Sequence, residues 1–172
     1  MKKQIDEQRE KEGRLAGLYD EYFDRIAHYI FVRIGDRHEA EDLAGDVFLK
    51  ALESLKSYKE RGIPMQAWLF RIAHNASVDY LRKRGRVTTV PIEGVTIMNG
   101  EDPAAVAERS TEMERVREAM EKLTPEQREV VRLRFFGGLS SKDVGAILHK
   151  SDGAVREMQR AAVEKLRILL DW

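Results

Sequence analysis

The sequence predicts an all-α chain built as two small helical domains joined by a flexible linker. Three observations predict it. Apolar residues recur every three or four positions through most of the chain, no stretch alternates like a strand except the short Val87–Val90 run, and residues 87–111 collect the turn formers Pro91, Gly94, Asn99-Gly100 and Asp102-Pro103. The 172 residues leave room for one ordinary domain or two small ones. With no cysteine the chain carries no disulfide framework and no thiolate site, and no apolar run approaches the roughly 20 residues of a membrane span. The first residues lack the apolar core of a signal peptide, so the expectation is a cytoplasmic protein without membrane insertion.

Residues 1–13 are mostly charged and aperiodic and read as a frayed N-terminal arm. From Leu15 the stripe Leu15, Leu18, Tyr22, Ile26, Tyr29 and Ile30 predicts a helix ending near Gly35. A second helix buries Leu43, Val47, Ala51 and Leu55 and sets Asp42, Asp46, Leu49 and Glu53 on another face. A polar, basic loop leads to Pro64, suited to the first turn of a third helix carrying Trp68, Leu69, Ile72, Ala73, Ala76 and Tyr80. Trp68 is expected in the core, and Arg82, Lys83 and Arg84 oppose the negative end of the helix dipole. These three helices make one unit, residues 14–86.

The 87–111 segment is the linker; extended, about 25 residues reach roughly 80 Å. From Glu112 helices resume as a second unit, 112–172. Thr124-Pro-Glu-Gln127 has the form of a capping box, and Gly137-Gly138 closes the apolar helix that follows. Ser140 and Ser151 cap the last two helices, whose spacing is that of a helix-turn-helix: Val144, Leu148, Val155 and Met158 make the crossing contacts and Gly145 is the small residue at closest approach. The inward stripe of the final helix is Val155, Met158, Ala162, Leu166 and Leu169. That leaves Ala154, Arg156, Glu157, Arg160 and Ala161 outward, where a helix enters the major groove. His149 stands where a turn glycine is common.

The formal net charge of zero hides strong segregation. Asp36–Lys56 carries −3, Lys59–Arg86 +5, Glu93–Lys122 −4 and Arg132–Arg167 +4, so two basic blocks alternate with two acidic ones. On the third helix Arg71, Asn75 and Arg82 share a face, with Tyr58, Lys59 and Arg61 on the loop before it. Cations, an amide and aromatic rings together are what a single strand requires: neutralised phosphates, bonded edges and stacked bases.

Glu41-Asp-Leu-Ala-Gly-Asp-Val-Phe-Leu-Lys-Ala51 and Ala67-Trp-Leu-Phe-Arg-Ile-Ala-His-Asn-Ala-Ser-Val-Asp-Tyr-Leu-Arg-Lys-Arg84 resemble region two of bacterial extracytoplasmic-function (ECF) sigma factors, the smallest class of the sigma-seventy family. Leu123-Thr-Pro-Glu-Gln-Arg-Glu-Val-Val-Arg-Leu-Arg-Phe-Phe-Gly-Gly-Leu-Ser140 with the helix-turn-helix resembles their region four. The resemblance implies a dissociable subunit that binds core RNA polymerase through its clamp and flap regions, directs it to promoters and helps to melt the minus-ten element. It implies that Asp42, Asp46, Leu49 and Glu53 engage the polymerase, and that Tyr58, Lys59, Arg61, Arg71, Asn75, Arg82, Lys83 and Arg84 meet the opened minus-ten strand. Ser151, Arg156, Glu157 and Arg160 would read the minus-thirty-five element as duplex. An anti-sigma factor is an implied partner, and the setting is the bacterial nucleoid. Two departures stand out: Gly45-Asp46 replaces the usual Gln-Glu, and Ala161 replaces a frequent arginine.

Rival readings fare less well. No phosphate loop or glycine fingerprint follows a strand, and His28, His38, His74 and His149 are scattered, so no catalysis, cofactor or metal is expected. A helix-turn-helix regulator with a sensory first module, or a helical adaptor, accounts for neither the acidic second helix nor the basic third.

Overall fold

The computed structural model describes residues 1–85 and 103–171. Within them the chain is helical: α1 (Lys2–Ile34), α2 (Arg37–Ser54), α3 (Met65–Lys83), α4 (Pro103–Glu121), α5 (Pro125–Val131), α6 (Ser141–Leu148) and α7 (Asp152–Leu170), with a 3-10 turn at Leu55–Ser57 and a π turn at Arg132–Phe136. Helices α1, α2 and α3 pack on one another; α5, α6 and α7 form the second bundle, with α4 against α7.

The ends of these helices follow local chemistry. Gly35, at φ 77°, adopts the left-handed conformation that closes α1, and its N–H bonds the Phe31 carbonyl. The Asp36 carboxylate accepts from the Glu39 N–H to start α2. Thr124 and Gln127 bond each other's backbone reciprocally, completing the capping box of α5. Ser140 caps α6 and Ser151 caps α7 through the N–H groups of Asp143 and Ala154. The turn between α6 and α7 is made by His149 at φ 56°, a non-glycine residue in glycine's usual place.

Several expectations need correction. The charged arm is not frayed: α1 begins at Lys2, and Glu7–Lys11 and Gln8–Glu12 pairs one turn apart support it. Lys11 and Arg14 then reach across to the α2–α3 loop, bonding the Tyr58 carbonyl at 3.2 Å and the Glu60 carboxylate at 3.0 and 3.1 Å. The expected linker ends sooner, because α4 starts at Pro103, where the fixed φ of proline suits a first turn. Its remainder, 87–102, lies outside the described residues, as does Val87–Val90. Trp68, by contrast, does pack against the core as expected, half-buried with its ring 4.6 Å from that of Tyr58. Leu170 rather than Leu169 turns inward at the end of α7.

The sequence predicts two helical domains joined by a flexible linker and does not say whether they touch. The structure docks them: α1 packs on the turn after α5, and α3 packs on α6. One set of buried side chains runs from Ile30, Leu69 and Phe70 to Val130, Leu133, Val144 and Val155. A smaller cluster of Leu123, Val131 and Ala162 belongs to the second bundle alone. Periodicity identifies a buried stripe but not which element covers it, so this docking had no signature in the pattern.

Glycine geometry separates the two positions noted in the sequence. A Cβ on Gly145 would lie 2.5 Å from the Lys150 carbonyl oxygen, a backbone atom that cannot step aside, whereas a Cβ on Gly45 meets nothing within 4 Å. Gly145→Ala is therefore expected to destabilise the chain by about 1–3 kcal/mol through overpacking. Gly45→Ala should stabilise it by roughly 0.5–1 kcal/mol through helix propensity. Urea unfolding of both variants checks this; effects of the same sign would contradict it.

Candidate nucleic-acid and polymerase interfaces

On α2, Asp42, Asp46, Leu49 and Glu53 are all exposed along one side, opposite the buried Ala40, Ala44, Val47 and Ala51. Leu49 is 60% exposed and Leu52 52%. Two large apolar side chains held in water within an acidic ridge form a surface suited to a partner that covers the leucines and pairs the carboxylates.

The loop and α3 divide differently from expectation. Tyr58 is buried, its ring against Trp68 and its hydroxyl donating to the Ile63 carbonyl at 3.1 Å, so it braces the loop and offers no free ring to a base. Burial also raises its pKa, with Glu60 adding to the effect. Lys59, Arg61 and Asn75 are exposed, as are Arg82, Lys83 and Arg84 at the end of α3. Arg82 bonds Asp79 at 2.9 Å, and Arg84 lies over the Tyr80 ring. Arg71 is not on this free surface: its guanidinium donates to the Ala146 carbonyl of α6 at 2.7 Å, so in the docked form it joins the bundles.

The outward face of α7 is open. Arg156 pairs with Asp152 and Arg160 with Glu157 and Glu164; both arginine side chains are about two-thirds exposed and their partners lie on the same helix. Such exposed pairs contribute little and break readily for a stronger anion. Ser151 holds the helix start while remaining exposed. Arg134 and Arg167, which the sequence reading did not single out, join Arg156 and Arg160 in lining one open groove with Gln159. Arg134 is fixed there by its Gln159 bond at 2.7 Å and a bond to the Leu139 carbonyl. It comes from the turn before α6, so helical spacing along α7 could not have found it.

A second feature missed by the sequence reading lies between the bundles. Glu129 of α5 is buried, with Arg33 at 2.5 Å, His74 Nδ1 at 3.1 Å and Arg132 at 3.4 Å, and it accepts a hydrogen bond from the Tyr29 hydroxyl. Burial opposes its ionisation, but the His74 hydrogen bond, the Arg33 charge, the Tyr29 hydroxyl and Arg132 together hold its pKa down at about 2. Burial, reinforced by Glu129, keeps Tyr29 neutral well beyond its ordinary range. Arg25 donates to the Gly137 carbonyl at 3.0 Å, and the His28 and Phe136 rings lie 5.4 Å apart, closing the edge of the contact.

Comparison with known proteins decides the family. Residues 18–87 match the Sigma-70 region 2 model and residues 119–167 the Sigma-70, region 4 model. YlaC of Bacillus subtilis, an RNA polymerase sigma factor, is 31% identical over 87% of this chain and 88% of its own. SigD of Mycobacterium tuberculosis, an ECF RNA polymerase sigma factor, is 31% identical over 83% of this chain and 70% of its own.

The chain belongs to the ECF RNA polymerase sigma factors.

BldN of Streptomyces coelicolor, of the same family, is 34% identical over 89% of this chain, which spans only 59% of BldN. Among solved structures, CnrH in complex with the cytosolic domain of CnrY aligns with a TM-score of 0.68 at 27% identity, over 93% of this chain and 89% of CnrH. The Bartonella quintana sigma factor RpoE, in complex with the anti-sigma factor NepR, aligns at 0.66 and 26%, over 91% and 96%. In both, the aligned chain is held in a complex with another protein. No helix among the described residues of the present chain is long and apolar enough to cross a membrane.

The depressed Glu129 pKa sets a pH window. Its folded value lies below the ordinary 4.5, so the stability it contributes is fully present above that value and is lost as pH falls towards about 2. Urea midpoints are expected to drop across this interval more steeply in the wild type than in Glu129→Gln. Parallel pH profiles would contradict the assignment. At neutral pH, Tyr29→Phe should cost about 1–2 kcal/mol by removing a donor to a buried charge.

Proposed function

We propose that this sigma factor binds core RNA polymerase through the acidic, leucine-bearing face of α2, with Asp42, Asp46, Leu49 and Glu53 meeting the clamp and the second bundle meeting the flap. The observation that carries this is the exposure of Leu49 and Leu52 within that ridge. Apolar side chains left in water among carboxylates fit a partner that is basic at the rim and apolar at the centre.

Promoter recognition is then shared. Ser151, Arg156, Glu157 and Arg160 read the minus-thirty-five duplex, with Arg134 and Arg167 along the same groove placed to neutralise phosphates. Lys59, Arg61, Asn75, Arg82, Lys83 and Arg84 take the opened minus-ten strand, which costs a few kcal/mol of unstacking that contacts with phosphates and bases offset. Tyr58 contributes by shaping the loop, and Arg71 becomes available once α6 leaves α3. The factor works in the cytoplasm at the nucleoid, without chemistry of its own, and an anti-sigma factor covering the α2 ridge would silence it.

Transcription with purified core polymerase tests this directly: promoter-dependent transcripts are expected with core, and only weak, nonspecific DNA binding without it. Asp42→Lys with Asp46→Lys should weaken core binding by an order of magnitude or more, since like charges across an interface cost several kcal/mol. Arg156→Ala and Arg160→Ala should each reduce recognition of the upstream duplex by about 1–3 kcal/mol while core affinity holds. Tight, specific duplex binding by the free protein would favour a conventional repressor or activator instead.

A further inference from the structure

The buried cluster between the bundles is asymmetric. Tyr29 and Arg33 on α1 and His74 on α3 all belong to the first bundle and present donors to one point, and the acceptor there, Glu129, is supplied by the second bundle. Arg71 lies one turn before His74 and Asn75 on α3, and it too spends its guanidinium on the second bundle, at the Ala146 carbonyl. Donor capacity exceeds what is used: the buried Nε atoms of Arg33 and Arg71 have no acceptor among the described residues. A guanidinium presents Nε with a terminal nitrogen as a two-pronged edge that matches a phosphate. In the docked form each of these two arginines is bonded through a terminal nitrogen, with its Nε unused.

From this geometry we propose that Tyr29, Arg33, Arg71 and His74 form a phosphate site for the backbone of the opened promoter strand, and that Glu129 is its internal occupant while the bundles are docked. The site rests on the strand-binding role proposed above. Continuity favours a nucleic-acid phosphate over an acidic peptide: Asn75, Arg82, Lys83 and Arg84 continue along the same helix, within the strongly basic Lys59–Arg86 block. A phosphodiester oxygen pair can also engage the Nε edges that a carboxylate already shared among Tyr29, His74, Arg33 and Arg132 leaves unbonded. Docking and strand binding then compete for one set of donors. Free protein binds DNA weakly because its apparent affinity is scaled by the fraction of open molecules.

Binding of a short fluorescein-labelled single strand to the full chain, measured by anisotropy across a salt series, tests this. Glu129→Gln weakens the internal occupant and is expected to tighten binding about tenfold or more, because the strand no longer competes with a carboxylate. On that background Arg33→Ala should return affinity towards the wild-type value and reduce the slope of log K against log salt by about 0.7, the contribution of one phosphate contact on a single strand. Should Glu129→Gln fail to fold, Arg25→Ala loosens the docked form from its far edge, at the Gly137 carbonyl, without touching the four donors. That variant is also expected to bind the strand more tightly despite losing a positive charge.

Unchanged strand affinity in folded Glu129→Gln or in Arg25→Ala would overturn the proposal. So would tightening that persists with an unchanged salt slope after Arg33→Ala, or displacement of Glu129 by an acidic peptide with no effect of DNA. Core-dependent transcription by the wild type, run in parallel, separates the two levels. Transcripts with a negative strand assay remove this site and leave the sigma-factor role standing, whereas absent transcripts remove that role itself.

Discussion

A carboxylate buried between two helical bundles is the constraint on which the rest of the arrangement depends. Glu129 has left water almost completely, a transfer that is prohibitive for an isolated charge, and remains ionised because Tyr29, Arg33, His74 and Arg132 surround it. Three of those four partners come from the first bundle. Separating the bundles returns all of these groups to water, so the docked form is stable only while the full set is assembled. Replacing one member costs more than a single hydrogen bond, because the others remain buried.

That constraint determines which surfaces are free. With α6 on α3, Arg71 and His74 face protein, while the α2 ridge, the end of α3 and the outer side of α7 remain exposed. A molecule in this state presents the acidic, leucine-bearing ridge of α2 to solvent but has part of its basic helix covered. On the proposed roles, core binding through α2 needs no rearrangement of the docked form, whereas full strand binding asks the bundles to part. Coupling of this kind needs no long pathway, since the same few donors serve either the internal carboxylate or an external phosphate.

Much of the fold was legible in the sequence because the signals were local. Asp36, Thr124, Ser140 and Ser151 cap helices where side-chain chemistry within three residues demands it, and Gly35 and Gly138 take the positive φ that few other residues accept. The exposure of Arg156 and Arg160 was legible because their side of α7 lies opposite a clean apolar stripe. The protein contacts of Tyr58 and Arg71 were not legible for one common reason: polar and aromatic side chains have two uses, and spacing along the chain does not say whether Ile63, Trp68 or Ala146 waits within reach. Nothing in its spacing along α5 marks Glu129 as a buried charge. Three of its four polar partners lie 55 to 100 residues away in sequence.

The central claim is that the two bundles are docked in the free factor and part when it works. The chain has no cysteine, so a pair introduced at exposed positions, Arg37 on α2 and Arg167 on α7, carries spin labels or dyes without background. The distance between them is expected to be single and narrowly distributed in the free protein and to lengthen by tens of ångströms on addition of core polymerase and promoter DNA. A distance that stays the same in the promoter complex, or that is already long and broad in the free protein, would contradict the account.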